Sequence, residues 1–277
     1  MRIGIVTQPE AFPDDTANAF AGRLVTLGRK VEALGFAGLW VTDSFGRGRP
    51  TLDPLISLGV LSGVTERIEL GTGVLQVPLR DPVELAHRVH SLDVLSGGRL
   101  RLGIGPGSTR DDFEVVGGDY DQRFKVLPGL LDQMRRVWRG EAVRRKPLQI
   151  WPGTEGRPHV LLGAWRNRSW IKLAAQSCEG WIASGIHSSW EDLEAGIRAY
   201  REAGGKRALL ANVFTDFRPD PVTTPIMQHA KVSLLCTPQV ARERLQRVKQ
   251  LGFDDVTLFC PRGEAGLQQL ETIRGLI

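Results

Sequence analysis

Asp43 and Ser44 follow the apolar run Leu39-Trp40-Val41, and a carboxylate at such a strand end can orient a ligand or have its proton affinity shifted. Capping the strand is the plainer role for it. A second chemical segment is Gly103-Ile104-Gly105-Pro106-Gly107-Ser108, again just after an apolar run. Its spacing is G-x-G-x-G, so the G-x-G-x-x-G dinucleotide fingerprint is not met. Glycines placed there let backbone approach a flat or phosphorylated ligand closely, or simply make a tight turn. A third is Trp165-Arg166-Asn167-Arg168, where two arginines at the start of a predicted helix oppose its dipole unless an anion lies nearby. With Arg47, Arg49, Arg80 and Arg110 in neighbouring loops, these residues point to a phosphate or carboxylate ligand, against solvated arginines as the alternative. His87 and His90 are three apart on a helix but lack a third ligand, so they read as surface histidines and no metal is expected. No Gly-x-Ser-x-Gly elbow and no Walker A loop occurs, which removes the serine hydrolase and nucleoside triphosphatase readings.

The elements that must position these residues alternate. Apolar or β-branched runs at 2–7, 38–42, 68–74, 100–104, 159–163, 180–183, 208–214 and 255–259 are eight strand candidates, separated mostly by amphipathic stretches. In the first gap Phe20, Leu24, Leu27, Val31 and Leu34 repeat at steps of three and four, with Asp15 or Thr16 as N-cap and Gly35 as the stop. A late helix repeats the pattern through Ala241, Leu245, Val248 and Gly252. Eight strand–helix units suit an α/β fold, a (β/α)8 TIM barrel, better than an open doubly wound sheet. In a barrel the functional residues stand at the C-terminal strand ends, where all three segments fall. No linker divides the chain, so residues 1–277 read as a single barrel domain. The stretch 141–158 is an irregular loop within it, and 216–229, with three prolines, is either a lid or a rigid surface loop.

Composition fits an ordinary globular protein: 42% hydrophobic and 24% charged over 277 residues, with no apolar segment of membrane-spanning length. A cytoplasmic location is expected. The net charge of +5 is too evenly distributed for a nucleic-acid footprint. Cys178, Cys236 and Cys260 are odd in number and far apart, so buried free thiols are expected.

The runs Leu34-Gly35-Phe36-Ala37-Gly38-Leu39-Trp40-Val41-Thr42-Asp43, Arg67 to Val74, Asp81-Pro82-Val83-Glu84-Leu85-Ala86, Leu92 to Arg99 and Gly103 to Gly107 resemble the bacterial-luciferase-like flavin oxidoreductases in order and spacing. The resemblance is close over residues 1–140 and looser afterwards, through Leu162-Gly163-Ala164, Gly180-Trp181-Ile182 and Thr237-Pro238-Gln239-Val240. It implies a (β/α)8 barrel binding FMN or the deazaflavin coenzyme F-420 across the C-terminal face. An excess of arginine over lysine, 29 to 7, tilts the choice toward F-420, a coenzyme of GC-rich actinomycetes.

By the same matching, Gly73-Val74 would be a non-proline cis bond in a bulge behind the ring, with Asp43 and Gln76 beside it. Pro106, Gly107 and Ser108 would line the ring or ribityl chain, and Gly163, Ala164 and Trp165 would lie near the phosphate. Many members place a histidine after the strand-two acid, and here Ser44 stands instead. Asp43, Ser44 and His187 are therefore the catalytic candidates, with His229 as a further substitute. The family's insertion after the fourth helix is shortened to 141–158. The resemblance implies hydride exchange between F-420 and a small organic substrate. Its alternatives are an FMN monooxygenase fed by a separate reductase and, given Ser44 and the short insertion, a flavin-binding protein without catalysis. A homodimer is expected from the family, and neither nucleic acid nor membrane is an expected partner.

Overall fold

The computed structural model describes residues 1–8, 10, 16–44, 46–221, 223–261 and 263–276, and not the side chains of residues 17–20. The strands are β1 (Arg2–Thr7), β2 (Gly38–Val41), β3 (Glu69–Thr72), β4 (Leu75–Gln76), β5 (Leu100–Gly105), β6 (His159–Gly163), β7 (Gly180–Ser184), β8 (Arg207–Asp216), β9 (Leu234–Leu235) and β10 (Asp255–Phe259). All ladders among them are parallel, and β10 pairs with both β1 and β8, which closes the sheet into a barrel. The third expected strand is divided into β3 and β4 around a cis Gly73–Val74 bond. The short β9 pairs with the end of β8 and was not expected.

The helices are α1 (Ala17–Ala33), α2 (Pro54–Ser62), α3 (Pro82–Leu95), α4 (Arg110–Val116), α5 (Arg123–Trp138), α6 (Arg168–Ser177), α7 (Trp190–Glu202), α8 (Pro225–His229), α9 (Pro238–Leu251) and α10 (Gly263–Arg274). In α1, Leu24 and Val31 are buried as the periodicity requires, while Phe20's side chain and the Asp15 cap lie outside the described residues. Among the described residues no helix is long and apolar enough to cross a membrane. The 216–229 segment is partly ordered into α8 rather than being loop throughout.

Strand alternation sorts side chains into two cores. Ile3, Ile5, Leu39, Leu70 and Leu102 join the shell beneath the helices, whereas Val6, Trp40, Leu161, Ile182, Leu209 and Ala211 fill the barrel. Trp40 needs glycine opposite it: a Cβ at Gly71 would stand 2.2 Å from the indole. The N-terminal strand ends are closed by side-chain ion pairs. Glu69 Oε2 accepts from Arg207 Nη2 at 2.6 Å and Glu69 Oε1 from Arg101 Nε at 2.9 Å, while Arg207 Nε also reaches Asp255 at 2.8 Å.

Two expectations are corrected outside the site. His90 is buried, not on the surface, because the 141–158 stretch folds back over α3: Trp151 N lies 3.4 Å from His90 Nε2, and Arg157 pairs with Asp93 at 2.7 Å. The three cysteines are free but only partly buried as residues.

Candidate active site

A cavity of about 1270 Å3 opens at the C-terminal strand ends. The sequence candidates Asp43-Ser44, Gly73-Val74, Gln76, Pro106-Gly107-Ser108, Gly163-Ala164-Trp165 and His187 all border it, although they come from six different strand ends. His229 does not: it is exposed on α8, with Nδ1 2.6 Å from the Pro225 carbonyl.

Val74 sits over the barrel mouth. A Cβ on Gly105 would stand 2.6 Å from Val74 Cγ2, and one on Gly163 would stand 3.1 Å from Val74 Cγ1. These glycines at strand ends thus make room for a valine side chain, not for a phosphate. At Gly107, φ of +90° and a Cβ position 2.6 Å from Gln76 Oε1 both require glycine.

Asp43 is a support. Its carboxylate, 1% exposed, accepts from Arg80 Nη1 at 2.6 Å, Arg80 Nη2 at 3.0 Å and Gln76 N at 2.8 Å. Arg80, expected among anion-binding arginines, is spent on this pair. Burial alone would lower the Arg80 pKa, and the Asp43 hydrogen bond and charge hold it above the ordinary arginine range. Gln76 Nε2 donates to the Asp43 carbonyl and to Asp112 Oδ2, each at 3.0 Å. Asp112 also accepts from Gly46 N at 2.7 Å and Arg47 Nη2 at 3.2 Å, tying the loop after β2 to α4. Ser44 is buried, and its hydroxyl accepts from Gln8 Nε2 at 3.3 Å.

The other wall is aromatic and basic. His187 stacks on Trp165 with centroids 3.8 Å apart. Burial, and then the Arg166 charge, lowers its pKa, so the ring is neutral near pH 7. The N-terminus of α6 is capped by Asn167, whose side chain accepts from Ser169 N and Trp170 N. The expected anion site at the helix start is therefore self-satisfied, leaving Arg166 at the cavity. Arg49 pairs with Glu10, Arg110 with Asp121 and Arg218 with Asp216. Arg123, absent from the sequence candidates, stacks 3.5 Å over Tyr120 and 4.6 Å over Phe124, and donates to the Gly107 and Tyr120 carbonyls. Its only sequence signal is the aromatic–basic interleaving of Tyr120-Asp121-Gln122-Arg123-Phe124. Cys260 also borders the cavity, and burial pushes its thiol up to about 12, which makes it inert.

Three residues bordering the cavity each carry a shielded polar atom without a hydrogen-bond partner: Thr42 Oγ1, Gln76 Oε1 and Asn212 Oδ1. Asn212 falls at one of the expected strand ends but is not among the site candidates, although an asparagine inside Leu209-Leu210-Ala211-Asn212-Val213 is a polar break in a strand. Among the described residues no metal-binding cluster is found.

The family model described as luciferase-like monooxygenase matches residues 1–250. An uncharacterized protein of Mycobacterium tuberculosis is 34% identical over 180 residues, which cover 62% of this chain and 64% of that protein, so the match spans less than two thirds of the relative's length. Among solved structures, monooxygenase RslO1 of Streptomyces bottropensis superposes with a TM-score of 0.86 at 20% identity, covering 100% of this chain and 98% of that one. An F-420-dependent secondary alcohol dehydrogenase, solved with an F-420–acetone adduct, gives 0.76 at 14% identity over 100% and 98%. The oxygenating constituent of 3,6-diketocamphane monooxygenase of Pseudomonas putida, solved with FMN, gives 0.74 at 13% over 99% and 97%. At these identities the structural likenesses speak to fold alone.

Proposed function

Because the chain belongs to the luciferase-like monooxygenase family, we propose that it is an oxidoreductase whose cavity holds a flavin-type cofactor, with F-420 as the cofactor and hydride exchange with a small organic molecule as the reaction. The observation that carries this reading is the Val74 platform between Gly105 and Gly163, flanked by bare polar atoms of Thr42 and Gln76. A flat ring with polar edges fits such a surface. When bound, a deazaflavin supplies two-electron hydride chemistry.

This chain's own residues then have separable tasks. Val74 would support one face of the ring, with the Gln76 carboxamide locked by Asp43 and Asp112. Arg123 and Arg166 offer positive charge at the rim, suited to the phosphodiester and glutamate tail of F-420. Phe214, Phe259 and Ile182 line the apolar side and exclude water. His187, neutral near pH 7, can accept a proton from a substrate hydroxyl.

A second reading has an observation of its own. Asp43, Asp216 and Glu10 are each ion-paired and Ile182, Phe214 and Phe259 give part of the wall an apolar lining, which also suits an FMN monooxygenase that needs a dry pocket. Anaerobic mixing of reduced F-420, protein and a panel of ketones, enones and imines separates the two. Reoxidation of F-420 by at least one compound is expected. Failure with every compound, together with oxygen uptake and product oxygenation from reduced FMN, would put the second reading first.

A further inference from the structure

Asn212 stands at a fault in β8. The register runs Leu210↔Val256 and then Val213↔Leu258, so β8 spends one residue more than β10 across the gap. At that point Asn212 has φ of +59°, the one non-glycine residue with positive φ among the described residues. Asparagine is among the few side chains that tolerate this region. The extra residue changes which side chains face inward. Leu209 and Ala211 belong to the barrel interior before the bulge, and Phe214 and Asp216 border the cavity after it. Unbroken alternation would have turned Val213 and Thr215 inward instead.

The Asn212 side chain reaches across the mouth, where Nδ2 donates to the Gly73 carbonyl at 3.4 Å. A carbonyl can only accept, so this contact determines which end of the carboxamide is which. The end left over is Oδ1, shielded from water with no partner. Val74, Ile182, Phe214 and Phe259 give the same cavity an apolar lining. A buried acceptor left bare carries an uncompensated desolvation penalty, and a bound molecule carrying a donor removes it.

We propose that Asn212 Oδ1 is a specificity-determining acceptor, and that the substrate is an uncharged, largely apolar molecule bearing a hydroxyl or N–H donor. This rests on the reading that the cavity takes a small organic substrate. A carboxylate placed at Oδ1 does not fit, because a second acceptor facing it would be repelled.

The probe pair is 2-naphthol and 2-methoxynaphthalene, which share an apolar body and differ in the donor. Binding is titrated on the full chain, with and without saturating oxidised cofactor, in wild type and Asn212→Gly. Glycine keeps the positive φ and deletes the side chain, its bond to the Gly73 carbonyl included. Wild type is expected to prefer 2-naphthol by about tenfold, on the order of 1.4 kcal/mol, and Asn212→Gly to bind both equally. Equal binding in wild type, binding of neither probe, or a preference that survives in the variant would overturn the proposal. Wild type alone decides if the variant does not fold. Titration of F-420 and FMN in the same preparations keeps the failures apart. A bound cofactor with no naphthol preference sinks only this inference, whereas the preference without any cofactor binding sinks only the cofactor reading.

Discussion

Asp43 carries a charge in a place with 1% exposure, and Arg80, 12% exposed, is its bidentate partner. Asp43→Asn would leave that guanidinium buried opposite a neutral group, a loss of roughly 3–5 kcal/mol. Urea unfolding should register it as a lower midpoint, and a change under about 1 kcal/mol would mean the pair is replaceable by water. His187 gives a pH signature. Burial, then Arg166, lowers its folded pKa, so the unfolded chain binds the proton more readily. The stability tied to this residue is full above the ordinary histidine value of 6.5 and is lost as pH falls below it. The melting temperature should therefore drop between about pH 7.5 and 5.5, and His187→Gln should make that drop shallower. Identical slopes would contradict the account. At this scale the sequence exposed positions better than roles. Asp43 is legible as an acid at a strand end, but that Arg80 consumes it depends on two loops meeting in space. Arg123 and Asn212 were hidden because neither belongs to a spaced motif.

Among the elements, the barrel's two ends do different work. The N-terminal end is held by Glu69 between Arg207, Arg101 and Arg2. Burial alone would raise the Glu69 pKa, but the Arg207 hydrogen bond and the neighbouring arginine charges hold it below its usual 4.5. That stabilisation is present above 4.5 and disappears as pH falls through the folded value. Glu69→Gln should melt below wild type at neutral pH, and the gap should narrow as pH falls below 4.5. A gap independent of pH would assign Glu69 a packing role instead. On the opposite side, Asn167→Ala removes the cap of α6 and should cost about 1 kcal/mol. Seven of the eight strand candidates are single strands within two residues of their expected ends, because apolar runs flanked by Gly and Asp mark parallel strands plainly. The third was not, since its division at Gly73–Val74 follows from no local pattern of apolar residues. The bulge at Asn212 escaped for the same reason: periodicity reads which residues are apolar, not where one residue too many has been inserted.

As a whole molecule, the chain is a closed barrel with one face given to ion pairs and the other to a cavity of about 1270 Å3. Arg49 and Arg218 at its rim are held by Glu10 and Asp216, and Arg80 by Asp43, which leaves Arg123 and Arg166 to meet the anionic tail of the proposed cofactor. The most direct measurement is titration of the purified protein with F-420 and with FMN, oxidised and reduced, read by fluorescence quenching and by absorbance retained through gel filtration. The account predicts saturable binding of a flavin-type cofactor, tighter for F-420 and weakened when Arg123 is replaced by Ala. Binding of neither, by a chain that melts cooperatively, would contradict it.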